Sequence, residues 1–250
     1  MRERKLPTTV RRGERTCASG KAVFNNILLS IPDREYNSIR PYLKFIDLPS
    51  HSIIHEPRRK LDQVYFLNTG MVSLIFTSKS GKSVEVGVVG NEGFTPVPVF
   101  AGITRSPHRA VVQVAGHGFR LAAEDLLALL HSSPRLQTAL QRYVVLLAMQ
   151  TAQTGGCNRL HNLQQRLARW LLLTQDRIDS GSLAITHDFL ATMLGTDRPS
   201  VTLAAGGLEA KGIIEYLYRG VRILNRKKLE RVACECYEVI QQFSGERALA

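Results

Sequence analysis

The sequence predicts an α+β chain with a strand-rich N-terminal part and a helical C-terminal part, and three observations carry that prediction. Short β-branched or aromatic runs separated by glycine turns crowd the region from Ser52 to Ala115. A helical period runs from Arg135 to about Gly155. Residues from Thr186 onward then read as two short helices followed by a strand pair. Together these imply an antiparallel β-roll, a long helix and a winged helix-turn-helix, in that order.

The roll is read from Ser52 to His55, Val64 to Leu67, Met71 to Phe76, Ser83 to Val88 and Arg109 to Ala115. Asn68-Thr69-Gly70, Ser80-Gly81 and Gly90-Asn91-Glu92-Gly93 separate them, and even spacing of short strands with glycine turns suits a barrel or roll. Such a cup, from about residue 40 to 122, is of a size to hold a sensor site. Before it, Asn25 to Tyr36 carries apolar residues and a Pro-Asp helix start, which places short helices near 26–41. Seven Lys or Arg occur by Lys21 against two Glu, so residues 1–24 read as a flexible basic arm.

Ala123 to Leu130 begins a helix that Ser132-Ser133-Pro134 interrupts. In the long helix that follows, Leu136, Leu140, Tyr143, Leu147, Gln150 and Thr154 approximate a heptad seam. A stripe of this kind serves either as intramolecular core or as a dimer interface. Its length, and its place between the two halves, favour the dimer, and Gly155-Gly156 offers a hinge. Leu163, Leu167, Trp170, Leu171 and Thr174 then open a C-terminal domain at helical spacing, with Trp170 in its core. The expected division is a basic arm over 1–24, a sensor roll over 25–133, a dimerisation helix over 134–157 and a winged helix-turn-helix domain over 158–250.

Leu190, Met193 and Leu194 line one face of a first short helix, Gly195 stops it, and Val201, Ala204 and Leu208 line a second. Ala191 leaves room for the helices to approach, and Gly195 tolerates the positive φ of a sharp turn. Asp197 is placed to cap the second helix, with Pro199 in its first turn. Arg198, Ser200 and Thr202 lie where a recognition helix meets base edges and phosphates. Ile213 to Tyr218 and Val221 to Leu224 form a wing around Arg219-Gly220. Arg219 and Arg222 suit phosphate contact, and Arg226, Lys227, Lys228 and Arg231 extend the positive charge. With Thr186 and Lys211 flanking the helix pair, the expected DNA-binding set is Thr186, Arg198, Ser200, Thr202, Lys211, Arg219 and Arg222.

Composition agrees with this. The chain of 250 residues is 44% hydrophobic and 22% charged, which is globular, and its formal charge of +12 favours a polyanionic partner. No segment reads as a signal peptide or approaches the ~18 apolar residues of a membrane span, so a cytoplasmic protein without membrane contact is expected. Cys17, Cys157, Cys234 and Cys236 contain no CxxC pair, and Cys234-Glu235-Cys236 would need two more ligands from elsewhere to hold a metal. They are read as structural thiols, with no metal site and no disulfide.

In this order of elements the chain resembles the CRP/FNR superfamily of bacterial transcription regulators. The most specific part is CNRLHNLQQRLARWLLLT followed by ITHDFLATMLGTDRPSVT, where Gln165-Arg166-Leu167-Ala168 and Leu194-Gly195-Thr196-Asp197-Arg198 look like the family signature. The resemblance implies a cyclic-nucleotide-binding-like roll and a homodimer that sets two recognition helices in successive major grooves of a pseudo-palindromic operator, roughly 34 Å apart. RNA polymerase is a further partner it implies. Arg198 matches the family's base-reading arginine and Ser200 a phosphate-contacting hydroxyl. Pro199 and Leu203 replace the family's usual glutamate and second arginine, so the operator differs. Of the cyclic-nucleotide site, Arg109-Ala110 match the phosphate-binding half and Thr151 falls at the effector-facing position of the long helix. Residues 93–107 hold no carboxylate for a ribose, so cyclic AMP is not expected. Cys17 stands alone in the N-terminal half, against an N-terminal iron-sulfur cluster, and His51, His55, His108 and His117 give no basis for choosing a haem ligand. No cofactor is expected and the effector is left unidentified.

The function expected is therefore a dimeric, sequence-specific DNA-binding regulator. The alternative is a small-molecule-binding or enzymatic module whose winged domain mediates protein contact only. No P-loop, GxSxG or HExxH occurs in the sequence, and Asp188 and Glu215 have no evident catalytic partner, so an enzyme is not expected.

Overall fold

Asn25 fastens the start of the chain to the roll. Its side chain accepts the Leu28 N–H at 3.2 Å, capping α1 (Asn26–Ser30), and its amide donates to the carbonyls of Leu67 and Gly93 at 2.9 and 2.8 Å. α2 (Asp33–Ile39) follows. The computed structural model describes residues 10–178, 181–217 and 220–243.

Residues 10–24 are not the free arm expected over 1–24, of which 1–9 lie outside the described residues. They fold back with Thr16 paired to Ala22, and Cys17 and Val23 are fully buried. The cause is Arg15, a buried cation that donates to the carbonyls of Leu28 and Ile31, pairs with Asp33 at 2.6 Å and stacks on Tyr36. A buried charge is tolerable only when so satisfied, and this one staples the segment to α1 and α2.

The roll consists of two four-stranded antiparallel sheets. One runs β1 (Lys44–Leu48), β8 (Gly116–Ala122), β3 (Gln63–Leu67), β6 (Phe94–Thr95). The other runs β2 (Ile53–His55), β7 (Arg109–Val114), β4 (Met71–Thr77), β5 (Ser83–Val89). Sequence reasoning locates β2, β3, β4, β5 and β7 but not β1, β6 or β8. Gly116-His117-Gly118 resembles a turn by composition; it is strand because β8 pairs antiparallel with β1 and β3 and neighbouring backbone comes close to its glycines. A Cβ at Gly116 or Gly118 would overlap the carbonyl oxygens of Thr69 or Phe66. Phe66, Phe94, Phe119 and Leu121 fill the cup, closed by α3 (Ala123–Leu130).

α4 spans Pro134–Leu160. Its N-terminus is capped from a distance of about a hundred residues. Glu35 of α2 accepts the N–H groups of Leu136 at 2.8 Å and Arg135 at 3.2 Å, a carboxylate at the positive end of the helix. The stripe expected to form a dimer seam is instead turned inward. Leu136, Leu140, Tyr143, Leu147, Gln150 and Thr154 are buried within the chain, and the first four belong to the core of the roll. The opposite face is open, with Val145 54% and Met149 43% exposed. Gly155 and Gly156 are helical and make no break, so the helix runs past the boundary expected at 157.

The C-terminal part comprises α5 (Leu163–Ile178), β9 (Ser182–Leu183), α6 (His187–Leu194), α7 (Arg198–Glu209), β10 (Ile214–Leu217), β11 (Gly220–Ile223), α8 (Arg226–Val232) and α9 (Cys236–Phe243). Strands β9 to β11 pair in the order β10-β11-β9, the wing. No helix among the described residues is long and apolar enough to cross a membrane.

The two parts share a sheet. Alternation along β4 and β7 sends Val72, Ala110 and Val112 into the roll, while Ile75 and Val111 pack outward with Leu167, Trp170, Leu171 and Leu190. At the centre of this contact Trp170 donates to Glu85 at 3.0 Å, and Ser73 donates to Glu85 at 2.6 Å and contacts Gln113. Nearby, Arg177 pairs with Glu92 at 3.0 Å. Trp170, expected as core, is core between the two parts. Burial raises the Glu85 carboxyl to about 7, against the pull of Ser73, Arg169, Trp170 and Arg177. The folded chain thus holds this proton more tightly than the unfolded chain. The stabilisation is complete below pH 4.5 and is lost as pH rises through about 7. Glu85→Gln should remove that dependence, so the Tm of the wild type should fall relative to the variant across this window. Parallel Tm curves would contradict the assignment.

Candidate nucleic-acid interface

The helix pair is set by caps at both starts and a glycine between. Thr186 caps α6 by accepting the Phe189 N–H at 3.2 Å, and Gly195 ends it with φ of 62°. Asp197 caps α7, accepting the Ser200 N–H at 2.8 Å, and that bond holds its carboxyl below the usual range. Leu190, Ala191, Met193, Leu194, Val201, Ala205 and Leu208 are buried. Ala204, expected on the buried face, is only partly buried and Ala205 takes its place. Arg166 of α5 donates to the Leu194 carbonyl, fixing the turn from beneath.

What α7 leaves outside is a continuous face. Arg198, Pro199, Thr202, Leu203 and Gly206 are exposed, Arg198 by 65% and Leu203 by 80%. Arg198 lies 3.3 Å from Asp188, but both are solvated, and such a pair contributes no more than about 1 kcal/mol. Its guanidinium is free to exchange that partner. Thr202 is exposed, yet its hydroxyl donates to the Arg198 carbonyl at 3.0 Å and meets His187 Nδ1 at 2.8 Å. Ser200 is half-buried beside the cap. His187 is packed edge-on against Tyr216, and burial followed by the charge of Arg198 lowers its pKa.

Lys211 is exposed just beyond α7. Arg222 is exposed on β11 and pairs with Glu215 at 3.1 Å. Arg219, the expected tip of the wing, lies outside the described residues, as does Tyr218. Of the basic residues beyond the wing, Arg226 is occupied internally. It bonds Asp176 at 2.7 Å, Gln175, Glu230 and Tyr237, joining α5, α8 and α9. Asp188, Leu203 and Gly206 complete the exposed face, with His187 half-buried at its edge; the resemblance places Leu203 there, whereas sequence reasoning does not place Asp188, His187 or Gly206. The i, i+4 spacing of 198, 202 and 206, with 199 and 203 beside them, is the available signal.

The residues matched to an effector site are not brought together. Ala110 is buried in the roll, so its neighbour Arg109 points to the other face of the sheet, where it pairs with Glu56 at 2.8 Å. Thr151 lies on the inner side, over Gly87 of β5.

Residues 165–232 match the Crp-like helix-turn-helix domain. No curated protein matches the chain in sequence. Among solved structures, a protein described as a crp/fnr-family transcriptional regulator from Eubacterium rectale is similar at a TM-score of 0.65 and 15% identity, covering 81% of this chain and 94% of that one. The c-di-GMP responsive global regulator CLP of Xanthomonas campestris is similar at 0.64 and 15%, covering 77% and 99%. A CRP-family transcriptional regulator from Thermus thermophilus is similar at 0.63 and 20%, covering 76% and 96%. The chain therefore has the fold of the CRP/FNR regulators and carries a Crp-like helix-turn-helix domain over residues 165–232.

Proposed function

We propose that the chain is a dimeric, sequence-specific DNA-binding transcription regulator whose N-terminal roll governs the setting of two reading heads. The observation that carries this is the exposed face of α7, a capped first turn presenting Arg198 with Thr202, Leu203 and Gly206 behind it. Arg198 is suited to a bidentate contact with guanine, and Leu203 to apolar contact with a thymine methyl. Gly206 has open space where its Cβ would lie, which lets the helix lie close to a duplex. Thr186, Ser200, Lys211 and Arg222, with Arg219 of the wing, supply phosphate contacts that orient the head. A DNA operator as partner places the protein in the cytoplasm, where RNA polymerase is a further partner.

Dimerisation is assigned to the outward face of α4, where Val145, Ala148, Met149 and Ala152 are exposed, not to the inward stripe. The effector is one other than cyclic AMP, since Arg109 faces away from Thr151 and residues 93–107 carry no carboxylate. The roll reaches the head directly. Val84 of β5 packs against Gly195, and His51 lies edge-on to Phe189 of α6. A ligand that favours one seating of α6 on the sheet shifts the population of head orientations.

Arg198→Ala should relax preference at one operator position by about 1–3 kcal/mol, whereas Lys211→Ala should weaken all duplexes alike. Filter binding on specific and random DNA at several salt concentrations separates the two, and equal loss on both DNAs by Arg198→Ala would remove its base-reading role. A Val145→Glu, Met149→Glu double variant should sediment as a monomer of native helix content. A dimer that survives both charges would exclude this face.

A further inference from the structure

Three of the four cysteines and one histidine meet at the far end of α4. Cys157 faces inward from its last turns and His161 ends it, while Cys234 and Cys236 lie where α8 passes into α9. The donor atoms of all four lie within 4.8 Å of one another. Cys157 Sγ is 3.5 Å from Cys234 Sγ, and Cys236 Sγ is 3.6 Å from His161 Nδ1. A tetrahedral ion with metal–sulfur bonds of about 2.3 Å and a metal–nitrogen bond of about 2.0 Å sets its ligands roughly 3.5–3.8 Å apart. The two separations fit. The sulfur–sulfur separation is too long for a disulfide, whose sulfurs sit about 2.05 Å apart.

We propose that Cys157, His161, Cys234 and Cys236 bind one zinc ion in a closed site of three sulfurs and one nitrogen that clips the end of α4 to the junction of α8 and α9. The two donors that Cys234-Glu235-Cys236 lacks in sequence, which make a metal unexpected there, come from the end of a helix more than seventy residues earlier. The surroundings are those of a ligand set. The three cysteines are buried and form a cluster apart from both apolar cores. Glu235 takes the Nε2 side of His161 at 3.0 Å, which leaves Nδ1 directed at the sulfurs, the carboxylate–histidine pairing common behind metals. Gln153 donates to Cys236 Sγ at 3.0 Å. Thiolates select zinc over hard cations, and four protein ligands leave no open coordination position, so the site is structural. On binding, each of the three thiols gives up a proton and forms a metal–sulfur bond, while neutral His161 supplies its lone pair. Three thiolates around a dication leave one net negative charge, and the buried guanidinium of Arg169 acts on Cys157 with the opposite sign.

The site spans the step from the long helix to the winged domain, so the ion would fix the angle between them. That consequence rests on the DNA-reading function proposed above, whereas metal binding does not. The test uses the full chain purified under reducing conditions. Elemental analysis should find about one zinc per chain, and cobalt exchanged into the site should give sulfur-to-cobalt charge transfer with tetrahedral d–d bands. Cys157→Ser with Cys234→Ser should lose the metal and both spectral features, while Cys17→Ser, altering the buried thiol of the roll, should keep them. A metal-free chain silent towards cobalt would overturn the proposal. So would a disulfide between Cys157 and Cys234, or full metal in the double variant. Should the double variant fail to fold, the cobalt spectrum of the unaltered protein decides. Metal content that holds while DNA selection fails would count against the regulator and not against the site.

Discussion

The contact on which the rest depends is the seating of α5 on the outer face of the β4–β7 sheet. A sheet apolar on both faces must be covered twice, and here the roll covers one side while the winged domain covers the other. Glu85 sits in that second layer with Trp170 and Ser73 on its oxygens, and Arg177 meets Glu92 beside it. Buried polar groups of this kind add little net stability but strongly specify geometry, because any shift leaves a group unpaired. The winged domain is therefore held in register with the strands of the roll.

α4 connects the same two parts and packs on the roll core. Its inward stripe is consumed by Leu136, Leu140, Tyr143 and Leu147 in the roll core, and Glu35 fixes its first turn. That leaves a second, weaker face bearing Val145 and Met149.

The legibility of the sequence follows from how local each signal is. The helix pair is readable because caps, a glycine turn and apolar spacing act within a few residues, and Thr186, Gly195 and Asp197 do what their types imply. The inward stripe of α4 reads as a dimer seam because periodicity identifies an apolar face without naming what covers it. The N-terminal segment reads as a free arm for a related reason. Charge suggests solvent, but Arg15 finds its partners at Leu28, Ile31 and Asp33. Strand β8 is hidden by glycines whose necessity lies in the backbone of residues 66–70 close beside them. The convergence of Cys157, His161, Cys234 and Cys236 depends on how α4, α8 and α9 pack, which no spacing reveals. Arg109 of β7 and Thr151 of α4 lie on opposite sides of the sheet, a distinction set by strand alternation once Ala110 is known to point inward.

The most direct measurement is selection of bound duplexes from a random pool by the full-length protein. An inverted repeat should be enriched whose half-sites lie about 10 base pairs apart, centre to centre, each with a guanine within reach of Arg198. A pool that emerges without any common sequence, or with a single half-site and no repeat, would contradict it.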